Sequence, residues 1–124
     1  MPRVWVIEDN DFNFELIDYL LAHAGWQTAR ARDGAEFGEL LAQPAPDLVL
    51  LDMNLPDGSG LDLLARLRAD PRLKALPVVA VTAHAMQGDK QKFLDAGCDA
   101  YVAKPIDRGV LFAEIDGVLA RRRR

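Results

Sequence analysis

The sequence predicts an α/β domain built on a single doubly wound, five-stranded parallel sheet. Three observations lead there. Short β-rich runs alternate with longer amphipathic runs in a (βα)5 pattern. Two of the short runs, 48–51 and 78–81, are wholly aliphatic, as strands covered by helices on both faces must be. The chain has 124 residues, which allows one domain and leaves no room for a second well-formed one. Right-handed crossovers place helices on both faces, and the strand order 2-1-3-4-5 is the common solution at this size.

Each element has its own local justification. Val4-Trp5-Val6-Ile7 is a compact β-rich run. Residues 12–24 follow with helical spacing, and Phe12, Leu16, Ile17, Leu20, Leu21 and Ala24 fall on one face that is expected to meet the core. Phe14 lies about 200° from Phe12 around that helix. It is therefore expected on the exposed side, as an aromatic anchor for a partner. Gly25 suits a helix stop. Thr28-Ala29-Arg30-Ala31 is a weaker second strand. Asp33 can N-cap the next helix, whose apolar face is Ala35, Phe37, Leu40 and Leu41, and Pro44 and Pro46 end that segment. After the strand at 48–51, Pro56-Asp57-Gly58-Ser59-Gly60 reads as a loop and 61–67 as a helix. Pro71 and Pro77 bracket a connector to the strand at 78–81. Residues 87–96 form a fourth helix closed by Gly97, 100–103 a fifth strand and 110–119 a fifth helix. The whole of 1–124 is one domain, with 121–124 read as a basic tail.

Charge and composition exclude several function classes. Residues 1–62 carry 3 basic and 12 acidic side chains, whereas residues 63–124 carry 12 basic and 7 acidic. Four of the basic residues are the terminal run Arg121-Arg122-Arg123-Arg124, so the remainder is strongly acidic and argues against a nucleic-acid partner. Cys98 is the lone cysteine, which rules out an internal disulfide and fits a reducing compartment. No apolar run approaches a membrane span, and no signal peptide precedes the first strand. The expected setting is cytoplasmic, without a membrane.

In a doubly wound sheet the site lies beyond the carboxyl ends of the strands, at the switch between strands 1 and 3. Strand 1 ends in Glu8-Asp9, strand 3 in Asp52, strand 4 in Thr82 and strand 5 in Lys104. Three carboxylates, a hydroxyl and an ammonium should thus meet on one rim. Adjacent carboxylates repel unless a cation joins them. An all-oxygen donor set without His or Cys favours a hard ion, Mg²⁺, over Zn²⁺. Lys104 offers a point charge, and Thr82 a hydroxyl donor, to phosphate oxygens. A carboxylate nucleophile so surrounded fits an aspartyl-phosphate site at Asp52. Taken singly, each residue has a bland reading: Asp9 or Asp52 as a helix N-cap, Thr82 as a structural residue, Lys104 as a solvated one. Their coincidence at four strand ends is what favours chemistry. His23 is expected to be solvated, Trp5 and Trp26 to be packing residues and Cys98 a packed side chain, while His84, two residues after Thr82, is expected above the site where it could influence access of water.

The motifs carrying these residues have a family likeness. Val6-Ile7-Glu8-Asp9-Asn10, Pro46-Asp47-Leu48-Val49-Leu50-Leu51-Asp52-Met53, Gly58-Ser59-Gly60-Leu61, Val81-Thr82-Ala83-His84-Ala85 and Tyr101-Val102-Ala103-Lys104-Pro105 occur in order. Together they resemble the receiver domain of two-component response regulators, from Arg3 to about Leu119. Residues 82–105, with Gly97-Cys98-Asp99-Ala100-Tyr101, are most similar to stand-alone receivers of the DivK type and to the receivers of hybrid kinases. Where many receivers have two aspartates this chain has Glu8-Asp9, a pairing that also occurs in the family.

The resemblance implies a flavodoxin-like fold and a set of roles. Asp52 accepts a phosphoryl group from a histidine kinase or phosphotransfer protein, in a Mg²⁺-dependent reaction. Asp9, Asp52 and the backbone carbonyl of Asn54 bind Mg²⁺, with Glu8 acting through a water. Lys104 and Thr82 hold phosphoryl oxygens, and Tyr101 turns inward as Thr82 is drawn to the phosphate. The Lys104-Pro105 bond is cis. Kinase or phosphotransfer helices dock over the first helix and the loop after the fifth strand, at Ile106. The output is protein contact through the face of helix 4, strand 5 and helix 5. The chain is then a phosphoacceptor taking part in its own phosphorylation and dephosphorylation, not an enzyme acting on a separate substrate.

Three rivals are weaker. A haloacid-dehalogenase-type phosphatase uses Asp-x-Asp, but here the run is Asp52-Met53-Asn54. A flavin carrier needs a phosphate-binding loop after strand 1, where Glu8-Asp9-Asn10-Asp11 repels phosphate. A phosphorylation-independent adaptor does not need the site residues that are all present.

Overall fold

The computed structural model describes residues 2–56, 58–83 and 89–122. The chain runs β1 (Arg3–Ile7), α1 (Asp11–His23), β2 (Gln27–Ala31), α2 (Gly34–Leu40), β3 (Leu48–Asp52), β4 (Asn54–Leu55), β5 (Gly58–Ser59), α3 (Gly60–Ala69), β6 (Val78–Thr82), α4 (Asp89–Asp95), β7 (Ala100–Ala103) and α5 (Arg108–Arg122). Five strands form one parallel sheet in the order β2-β1-β3-β6-β7. This is the 2-1-3-4-5 order expected from the alternation of elements.

Alternate strand residues feed two cores. Trp5, Ile7, Val49, Leu51, Val78 and Ala80 face one side, with Phe37, Leu64, Leu67 and Phe93. Val4, Val6, Leu48, Leu50, Val79 and Val81 face the other, with Ile17, Leu21, Leu111 and Ile115. Burying such aliphatic side chains is worth roughly 1.5–3 kcal/mol each, so β3 and β6, buried at every position, anchor the fold. Local signals set the helix ends. Asn10 caps α1 by accepting from the Asn13 amide (2.9 Å), and Asp33 caps α2 by accepting from Glu36. Gly25 and Gly97 follow α1 and α4 with φ of 92° and 116°, a conformation other residues rarely adopt.

Three expectations are corrected. Within the supposed loop at 56–60, Gly58–Ser59 forms β5, which pairs antiparallel with β4 just before it, and Gly60 already begins α3. The basic tail starts too early, because Arg121 and Arg122 belong to α5 and the Arg121 guanidinium donates to the Asp99 carbonyl at 3.1 Å. The faces of α1 are also reversed near its start. Phe12 is 74% exposed, while Phe14 packs against the core beside Ile17 and Leu21. Apolar residues occupy much of the circumference of α1, so its neighbours choose the buried stripe. The neighbour here is Arg30 of β2, whose guanidinium carbon sits 4.5 Å from the Phe14 ring centroid. The premise of Phe14 as an exposed docking anchor is thereby removed. Among the described residues, no helix is long and apolar enough to cross a membrane.

Candidate functional site

β1, β3, β6 and β7 run parallel, so their C-terminal ends share one rim. Glu8, Asp52 and Thr82 are buried there, and Asp9 is exposed at its edge. The Lys104 ammonium lies 2.7 Å from Glu8 Oε1 and 3.2 Å from Asp52 Oδ2. The Asn54 backbone N–H donates to Asp52 Oδ1 at 2.9 Å, and the Asn10 N–H donates to Glu8 Oε2 at 3.1 Å. The Asn54 side-chain amide donates to Thr82 Oγ1 at 3.2 Å. The Lys104 backbone N–H donates to the Thr82 carbonyl at 2.8 Å, tying β7 to β6 beside the site. The Lys104-Pro105 peptide that follows is cis.

Charge is crowded here. Burial pushes the Glu8 carboxyl up to about 7, helped by Asp52 and opposed by Lys104. Burial pulls Lys104 down, but the two carboxylates outweigh it and raise its pKa, so the ammonium stays charged. One cation thus serves two buried acids. Glu8, Asp9 and Asp52 each place a carboxylate oxygen within 4.8 Å of the others. This donor set fits a hard divalent cation such as Mg²⁺: it is all oxygen, it carries excess negative charge, and one acid opens to solvent.

Several residues gain or lose standing. Asn54, expected to contribute only its carbonyl, also bonds Asp52 through its N–H and Thr82 through its side chain. Gly60 sits so close that a Cβ there would come within 2.5 Å of the Asp52 carbonyl oxygen and 2.7 Å of Met53 Cα. The Gly58-Ser59-Gly60 run marked a turn, but nothing local in it signals contact with Asp52. Tyr101 is half-buried, its ring stacked on Phe93 at 5.9 Å between centroids. Ile106 is half-buried against the core that holds Phe14. Cys98 is buried, as expected, and burial pushes its thiol up to about 12. His84 lies outside the described residues.

A family model, the response regulator receiver domain, matches residues 4–116. The chain belongs to this family. The receiver is 43% identical over 107 residues to the polar-differentiation response regulator DivK of Brucella anthropi, covering 86% of this chain and 87% of that protein. The DivK of Brucella ovis is likewise 43% identical, over 103 residues, with 83% of this chain and 84% of that protein covered. Among solved structures, a putative response regulator from Chloroflexus aurantiacus matches with a TM-score of 0.89 at 30% identity, covering 97% of this chain and 99% of that one. The receiver domain of a sensor histidine kinase from Pseudomonas aeruginosa, with a magnesium ion coordinated in its active-site cleft, matches with a TM-score of 0.80 at 31% identity, covering 97% and 95%. Membership in the family makes the chain a signalling module of two-component type, whose general role is that of a phosphoacceptor.

Proposed function

We propose that Asp52 is the phosphoacceptor and that this receiver passes signals by phosphorylation-dependent protein contacts, in the manner of DivK-like regulators. The observation that carries the reading is Lys104 bridging Glu8 and Asp52 at the end of β3. An Asp52 carboxylate oxygen attacks the phosphorus of a phosphohistidine on a kinase or phosphotransfer protein. The P–N bond breaks, and the imidazole nitrogen leaves with its electron pair. Lys104 already contacts Asp52 and holds a phosphoryl oxygen once the acyl phosphate forms. Thr82 supplies a hydroxyl donor to another oxygen.

Mg²⁺ would be held by Asp9, Asp52 and the Asn54 carbonyl, with Glu8 as support, and would supply positive charge to the transferred phosphoryl group. A receiver domain with a magnesium ion in its cleft, at 31% identity, supports this reading. The chain's own residues thus assist both formation and hydrolysis of the acyl phosphate, and no separate substrate is turned over. Phosphorylation turns a singly charged carboxylate into an acyl phosphate that carries roughly −1.5 to −2 charges at one point. Thr82 moves toward that charge and Tyr101 follows into the space it leaves, altering the face of α4, β7 and α5. Donor helices dock over α1 and Ile106, without Phe14 as an anchor.

Incubation with acetyl phosphate and Mg²⁺, followed by intact-mass measurement, tests the assignment. One hydroxylamine-sensitive phosphoryl group is expected on the wild type and none on Asp52→Asn. Full labelling of the variant would sink the proposal.

A further inference from the structure

Arg30 lies on β2, the edge strand paired with β1, opposite Val6, and its side chain reaches forward to the loop after β1 that holds two of the acids. Nε donates to the Glu8 carbonyl at 3.1 Å, and Nη2 reaches the Asp9 carbonyl at 3.4 Å. Nη2 also pairs with Asp11 Oδ1 at 2.8 Å. The guanidinium face rests on Phe14, and the side chain is only 14% exposed. One planar group therefore grips consecutive backbone carbonyls of the acidic loop, the first turn of α1 and an aromatic wall.

We propose that Arg30 is a positioning residue for the divalent-cation site: it holds the Glu8-Asp9 backbone so that the two carboxylates point at Asp52. The inference rests on the magnesium reading above. Its physical basis is that Glu8-Asp9-Asn10-Asp11 concentrates three negative charges, which favour a splayed loop. A fork of fixed donors opposes that spread by holding the Glu8 and Asp9 carbonyls rather than their carboxylates. Lysine keeps the charge but cannot span both carbonyls and stack flat on Phe14.

The proposal has a sign that separates it from a simple charge effect. A guanidinium acting only as a nearby cation repels Mg²⁺, and its removal tightens binding. A guanidinium that positions the acids strengthens binding, and its removal weakens it. Calorimetric Mg²⁺ titration of the full chain reads the difference, with amide spectra checking that each variant is folded. Arg30→Gln and Arg30→Lys are each expected to weaken Mg²⁺ about tenfold, as for other groups that orient metal ligands. Asp11→Asn, which cuts the exposed ion pair but leaves the carbonyl contacts, should stay within about twofold. Should Arg30→Gln lose its fold, the conservative Arg30→Lys carries the test. Wild-type affinity or tighter in a folded Arg30 variant overturns the positioning role. A wild type that binds no Mg²⁺ overturns the magnesium reading itself, and the two failures are told apart by the wild-type titration.

Discussion

At the N-terminal end of the sheet, the Arg68 guanidinium donates to the Gly97 carbonyl through Nε and Nη2, to the Lys74 and Leu76 carbonyls through Nη1, and to Asp99 Oδ2 at 3.0 Å. Asp99 Oδ2 also accepts from the Val78 N–H at 2.8 Å, at the start of β6. At the C-terminal end, one Lys104 ammonium is divided between Glu8 and Asp52, with Asp9 beside them. Both ends bury charge. The first matches a cation on α3 to acceptors drawn from the segment before β6 and the segment between α4 and β7, and so closes the fold. The second leaves negative charge in excess, at a cost in stability that a bound cation or a phosphoryl-transfer reaction can use. Within one sheet, satisfied charge marks architecture and unbalanced charge marks chemistry.

The largest effect is expected at Arg68. Arg68→Ala strips the Gly97 and Leu76 carbonyls of a donor and leaves Asp99 without its guanidinium. It should cost about 3 kcal/mol in urea unfolding, and Mg²⁺ should not change that loss. A loss that Mg²⁺ repaired would show that the two ends are not independent.

The opposite end should respond to protons. Glu8 has a folded pKa of about 7, above its ordinary value of 4.5. A carboxylate raised in this direction favours folding when protonated, so its contribution is complete below about 4.5 and is lost as pH climbs toward 7. Between those values the metal-free wild type should lose about 2 kcal/mol relative to Glu8→Gln, measured by denaturant melts. Mg²⁺ should shrink that difference by stabilising the charged form. A metal-free wild type whose stability tracks the Gln variant at every pH would show that the acids at the rim are not strained.

A lesser effect is expected at Cys98, which adjoins the Arg68 knot. With the thiol pushed to about 12 and buried, alkylation in native buffer at pH 8 should be far slower than in urea. Comparable native and denatured rates would show that this end opens readily.

Much of the molecule was legible along the chain. The aliphatic runs that became β3 and β6 need helices on both faces, and one such sheet accounts for the alternation around them. The strand-end residues Glu8, Asp9, Asp52, Thr82 and Lys104 could be singled out because parallel strands bring their carboxyl ends to one rim. Asp33 and Gly97 carry short-range signals, a side-chain acceptor and a permitted positive φ, and both act where expected.

What the sequence determined by itself was whatever depends on period, on strand direction or on a few neighbouring residues. Tertiary structure alone decided the rest, for a common reason: each case depends on residues distant in sequence. Phe14 rather than Phe12 turned inward because Arg30 covers it. Gly60 proved necessary because its backbone crosses that of Asp52 too closely for a side chain. Arg121 joined α5 and met the Asp99 carbonyl instead of trailing as a tail. Helical periodicity says that a stripe exists, but the packing partner decides which stripe is buried. Hydrogen-bond balance likewise appears only when distant groups meet: the crowding of acids at the rim could be read from the strand ends, but the satisfied knot at Arg68 and the division of one Lys104 between Glu8 and Asp52 could not.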